Sequence, residues 1–156
     1  MSIPQPNNIV DGSFTFKWRP DFGSASSERL YKAQCFIDSE CIRLMIPYTP
    51  RLNGILFQSP KFGTKIGSGH IVYDSPYARY QYYGNVYGPS FPIFKDNVLV
   101  GWRSPKGKAK HPTGAELQYS THKHPNAGKL WFERMKADKR DAILEGAANI
   151  AGGKAE

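Results

Sequence analysis

The side chains best suited to hold a metal are His111, His122 and His124, and the His-Lys-His triplet at 122–124 can place two imidazoles on one side of a strand. A metal centre also needs further ligands in a fixed geometry. These histidines stand beside Pro112 and Pro125 in polar sequence, so ordinary loop positions are expected, with no metal and no small-molecule cofactor. The chain has no GxSxG elbow, no phosphate-cradling Walker loop and no HExxH helix, and the presence of Ser, His and Asp somewhere in one chain does not define a triad. No catalytic residue is expected. Cys35 and Cys41, six positions apart on an expected helix, stand about 9 Å apart along its axis. They read as small buried hydrophobes in a reducing cytosol rather than a disulfide. Arg103, Lys106, Lys108 and Lys110 follow Trp102; they could neutralise phosphates while the indole stacks on a base, and a solvated basic loop explains them equally well.

The elements that must position these groups belong to one domain, since 156 residues suit a single core. Hydrophobic residues at 40%, with 13% aromatic, supply enough apolar surface to offset chain entropy. Twenty-one basic residues against thirteen acidic give +8, a field that favours nucleic acid or an acidic protein surface and also serves plain solubility. No basic segment followed by an apolar run marks a secretory signal at the start, and no apolar run is long enough to span a membrane, so a soluble, cytosolically made protein is expected.

Residues 1–12 are polar and carry Pro4 and Pro6, which predicts an extended arm that orders against a neighbouring subunit. Phe14, Phe16 and Trp18 alternate with polar residues, predicting a strand over 13–19. Leu30, Ala33, Ile37, Cys41 and Leu44 then recur at helical spacing, predicting a helix at about 25–46, with Ser24 to Ser27 able to cap its start and Pro47 ending it. Residues 55–57 and 70–73 read as the strands of a long-looped hairpin, and 74–84 as a short helix or tight turn closed by Gly84. Residues 85–126 form a loop-rich insertion holding one strand at Val98 to Trp102. A helical pattern returns after Gly128 and ends at Gly152-Gly153; Asp138 to Asp141 either faces outward on one helix or Asp138 caps a second. The fold class expected is α+β: a long helix in the N-terminal half and a C-terminal helix packed on a small, mainly antiparallel sheet with long loops.

Three segments in this order, IPYTPRLNGIL (Ile46 to Leu56), HIVYDSPYARYQYYG (His70 to Gly84) and AGKLWFERMKADKRDAILEGAANIAGG from Ala127, resemble the minor capsid protein family of long-tailed bacteriophages, and more distantly their head-tail connector proteins. The match covers residues 25–84 and 127–153. Thr49-Pro50-Arg51-Leu52 departs from the commoner neck pattern, which has glycine where Pro50 stands.

The resemblance implies a non-enzymatic virion protein at the head-tail junction, assembled in the host cytoplasm as a closed cyclic ring of copies between portal and tail. Its partners would be other neck, portal and tail proteins, with non-specific contact to DNA in the channel and none to a membrane. A small phage-encoded DNA-binding or DNA-processing protein is the alternative. Tyrosine suits both core and interface, so Tyr77, Arg79, Tyr82 and Tyr83 are interface candidates. Tyr87, Phe91, Phe94 and Trp102 are natural anchors within the insertion, and one of the adjacent pair Trp131 and Phe132, with Trp131 the candidate, meets a partner. Arg103, Lys106, Lys108 and Lys110 are the DNA-facing candidates.

Overall fold

The computed structural model describes residues 2–11, 14–51 and 54–154, apart from the side chains of Asp11 and Phe14. Its class is α+β. Two long helices, α1 (Phe22–Met45) and α4 (Trp131–Ala151), pack on each other, and a 3-10 turn at Ile46–Tyr48 closes their contact. Cys41, Met45 and Tyr48 meet Trp131, Met135 and Ile143 in the core, where hydrophobic burial supplies the main driving force.

Pro47 ends α1 as its chemistry requires, and the break is satisfied from several directions. Thr49 is fully buried; its N–H and hydroxyl both donate to the Met45 carbonyl, at 3.0 and 2.9 Å, and its Oγ1 lies 3.2 Å from Tyr73 Oη. The neighbouring Tyr48 hydroxyl donates to Asp138 of α4 at 2.5 Å, and its carbonyl accepts the Gly128 N–H at 3.2 Å. Asp138 therefore caps no second helix; α4 is continuous, and stops at Gly152 in the left-handed conformation (φ 85°) that glycine adopts without a Cβ clash.

The start of α1 lies at Phe22 with Asp21 as N-cap, earlier than Ser24–Ser27 suggest. Ser27 instead accepts the Ile3 N–H at 2.8 Å, while Gln5 donates to the Arg19 carbonyl at 2.7 Å and accepts the Gly23 N–H at 3.0 Å. A Cβ at Gly23 would stand 2.6 Å from the Ile3 carbonyl oxygen, so only glycine admits this approach. Strand β1 (Ile9–Asp11) pairs antiparallel with β2 (Phe14–Phe16). The arm is thus extended but bound to its own chain, which corrects the expectation that it needs a neighbour to order. Met1 and Gly12 of the arm, and Ser13 of the expected strand, lie outside the described residues, as does Leu52 of the Arg-Leu pair.

The hairpin expected over 55–73 is not formed. Ile55–Gly63 is a helix, α2, despite Pro60 in its interior. The Leu56 carbonyl, which loses its donor to the proline ring, accepts the Ser59 hydroxyl at 3.1 Å, and Leu56, Ser59 and Pro60 all turn inward. Residues 70–73 alternate in and out like a strand, with Ile71 and Tyr73 on the core, yet they join no ladder; the Val72 N–H is taken by Thr64 Oγ1 at 2.9 Å. The short helix α3 (Ala78–Tyr83) ends, as read, at Gly84 (φ 74°).

The buried carboxylate of Asp38 joins α1 to the following loop. It accepts N–H donors from Gly67 (2.8 Å) and Gly69 (3.1 Å) and the Gln34 amide at 2.7 Å, so its burial is compensated by hydrogen bonds.

Trp131→Ala is expected to cost about 3–5 kcal/mol, read from the midpoint of urea unfolding, because the indole is 1% exposed and its removal leaves a cavity in the core. A cost near zero would place the indole outside the core. A second expectation concerns pH. Burial pushes the Tyr73 phenol above its ordinary value of 10.0, and the hydrogen bond to Asp138 raises that of Tyr48. The folded chain then keeps protons the unfolded chain releases, so this stability is whole below the unfolded pKa and is lost as pH rises through the folded one. The urea midpoint should fall between about pH 9 and 11, and by less in Tyr73→Phe; an equal fall in both would remove Tyr73 from the account.

Candidate functional site

Residues 85–116 form four strands rather than a loop with one. β3 (Asn85–Gly88) pairs with β6 (His111–Glu116), and between them β4 (Phe91–Lys95) pairs with β5 (Val98–Arg103). The pairings are nested and antiparallel, so the chain runs out and back as one two-stranded ribbon interrupted at 89–90 and 104–110. Its turn is Asp96-Asn97, both at positive φ (52° and 62°), the conformation of a two-residue hairpin turn, which asparagine and aspartate tolerate better than most side chains.

The register sorts the side chains. Cross-strand partners share a face, and successive residues alternate. Phe94 opposite Leu99 and Pro92 opposite Trp102 therefore make one face wholly apolar. Phe91 opposite Arg103, Ile93 opposite Gly101 and Lys95 opposite Val98 make the other face apolar and basic. Val100 is the extra residue of the irregularity between these sets. Every position of β4 is exposed, and β5 is exposed except at Gly101; Phe94 stands 61% exposed and Trp102 64%. A two-stranded hairpin is marginal in water on its own, and this one leaves its large side chains uncovered on both sides.

The base of the ribbon is held firmly. The Tyr87 ring meets Tyr80 of α3 edge-on at 4.6 Å, Leu117 N–H donates to the Gly84 carbonyl at 2.8 Å, and Tyr119 Oη donates to the Gln81 carbonyl at 2.6 Å. Lys129 pairs with Glu116 at 2.6 Å, an exposed contact of small energetic weight. The fixed end thus lies at α3, and the free end carries the apolar side chains.

Of the interface candidates, Tyr77, Arg79, Tyr83, Phe91, Phe94 and Trp102 are exposed and Tyr87 is half-buried against Tyr80. Trp131 is a correction: it sits in the core, 4.8 Å from the Tyr82 ring and 5.3 Å from Tyr73, so it is the half-buried Phe132 next to it that nears the surface. Tyr82, packed on Trp131, is likewise mainly a core residue. Sequence reading passed over Ile93, Val98, Leu99 and Val100, although two apolar runs around an Asp-Asn pair are a hairpin signal.

Arg103 closes β5, and Lys106, Lys108 and Lys110 lie in the exposed segment after it; none joins an ion pair among the described residues. The histidines do not converge. His111 is exposed on β6 and His122 is exposed, while His124 is buried, its Nδ1 donating to the Thr49 carbonyl at 2.6 Å and its ring edge-on to Phe57. His124 is thus a buried tie, not the ordinary loop residue expected. No group of three or more His, Cys, Asp or Glu among the described residues is placed to hold a metal. Cys35 and Cys41 are both free; burial, with Asp38 and Glu40 nearby, pushes the Cys41 thiol up.

No family model, curated protein or solved structure matches the chain. No helix among the described residues is long and apolar enough to cross a membrane.

Brief trypsin treatment of the native chain should cut first after Lys95, Arg103, Lys106 and Lys108, leaving α1 and α4 whole, because exposed, weakly packed backbone opens at least cost. Mass spectrometry of the first fragments reads this directly. Earliest cleavage inside α1 or α4 would contradict the division into a firm body and a free ribbon.

Proposed function

We propose that this chain is a structural protein of a tailed bacteriophage particle, a ring-forming component of the neck that joins the portal of the capsid to the tail. The observation that carries the reading is the ribbon. Phe91, Ile93, Phe94, Val98, Leu99, Val100 and Trp102 stand uncovered together, presenting on the order of 800 Å² of apolar side chain, about one partner's share of a standard interface and more than a monomer ordinarily leaves in water. Such a surface suits a protein fixed in place by its contacts rather than one that turns over a substrate. The resemblance of the three segments noted above supplies the particular assembly, and closed cyclic symmetry follows from copies meeting head to tail.

A second reading, a clamp on DNA, is favoured by the unpaired cations Arg103, Lys106, Lys108 and Lys110 beside Trp102. It is compatible with the first where the ring surrounds a DNA channel. As the whole function, it requires an affinity for DNA that falls steeply with salt.

Trp102→Ala separates these possibilities from a folding role. The variant should keep the circular dichroism of the parent, since the indole is mostly in solvent, and weaken the joining of heads to tails by roughly 2 kcal/mol or more per subunit interface if the indole is a hot spot. Joined particles are counted by electron microscopy. Loss of the helical signal would make Trp102 a folding residue, and full joining without it would remove the ribbon as the adhesive surface.

A further inference from the structure

Both faces of the β4–β5 hairpin are apolar, so covering one side by a flat partner leaves the other in water. The free end must be received in a recess. The body of this chain has one: a surface-open cleft of about 360 Å³ between α1, α4 and the segment before α3, lined by Ile37, Cys41, Met45, Tyr73, Tyr82 and Phe132 among others. Its lining carries one charged side chain, Asp38, and no lysine or arginine. Glu133 stands close enough to Tyr82 to raise its phenol pKa, so the border of the cleft is acidic as well.

The ribbon has the opposite character. Between residues 85 and 116, Lys95, Arg103, Lys106, Lys108 and Lys110 face only Asp96 and Glu116 in formal charge, and Glu116 is already paired with Lys129. Apolar knobs with a basic border on one element, and an apolar recess with an acidic border on another, are complementary parts of one contact.

Resting on the neck-ring reading, we infer that the apolar face of the ribbon, Pro92, Phe94, Leu99 and Trp102, docks in the α1–α4 cleft of the next copy of this chain. The contact is heterologous, since ribbon and cleft are different surfaces, and repetition through a closing rotation makes a ring. The hairpin alone, five residues on β4, extends roughly 17 Å at about 3.4 Å per residue, enough to reach into a neighbouring body. The face with Phe91, Ile93, Lys95 and Arg103 then turns toward whatever else the ring meets.

Two populations of the full chain, both carrying Cys35→Ala and Cys41→Ala and each with a different tag, test this. One adds Leu99→Cys or, separately, Val98→Cys on the exposed ribbon. The other adds Phe132→Cys at the cleft or Lys139→Cys, an exposed position of α4 away from the cleft lining. Circular dichroism first confirms that each is folded. With a short bismaleimide, heterodimers bearing both tags are expected from the Phe132→Cys chain at several times the level from Lys139→Cys, and adding Trp102→Ala to the ribbon chain should reduce them. If the wild-type chain assembles in analytical ultracentrifugation while the two cleft positions cross-link equally, docking in the cleft is overturned and the ring reading stands. If the chain stays monomeric at every concentration, the ring reading fails with it. If duplex DNA shields the ribbon cysteine from alkylation and no heterodimer forms, the occupant is nucleic acid and the inference is wrong.

Discussion

The body depends on how one broken helix end is satisfied. Pro47 forces the chain out of α1 inside the core, and a backbone that turns there must find partners for each polar group or bear the full cost of desolvating it. Thr49 answers by bonding back to Met45 and outward to Tyr73 and His124, while Tyr48 reaches Asp138. These two residues therefore fix the mutual placement of α1, α4, the 70–73 segment and the 122–128 loop. The arrangement explains why His124 is buried and why Asp138, in the charged middle of α4, faces the body: both complete hydrogen bonds opened by the proline.

Much of this was legible beforehand. Helical periodicity located α1 and α4 because each buries one stripe, and Gly84 and Gly152 marked helix ends since both adopt the left-handed conformation. What escaped the sequence shares one cause, the transfer of a local signal's meaning by a distant partner. Pro60 reads as a breaker until Ser59 supplies the missing donor to Leu56; Ser27 reads as a cap until Ile3 arrives to use it; residues 70–73 read as a strand because burial alternates, whether or not a ladder exists. The ribbon was missed for a different reason. Its two faces are both apolar, so no alternation in polarity announces it, and only the Asp96-Asn97 turn betrays the hairpin.

That absence of alternation is also the functional clue. A strand pair inside a finished domain turns one face to the core and one to water; a pair apolar on both faces belongs to a core that its own chain does not complete. Trp131 and Trp102 mark the contrast. The first is enclosed by Tyr73, Tyr82 and the two long helices, whereas the second has a comparable apolar area and only its cross-strand partner Pro92 on that side.

The division of labour follows from where stiffness lies. α1, α4 and the Tyr48–Thr49 turn form a packed unit whose polar groups are paired, and the ribbon is tethered to it near α3 through Tyr80, Gln81 and Gly84. A stiff base fixes the direction from which the hairpin approaches a partner, and an uncovered end lets the contact itself contribute the burial that completes its structure. Assembly and the last step of ordering are then one event. A copy whose ribbon is uncovered is the higher-energy species, and the surface that stabilises it need exist only where copies are already gathered, which favours growth of a closed set over accumulation of loose monomers.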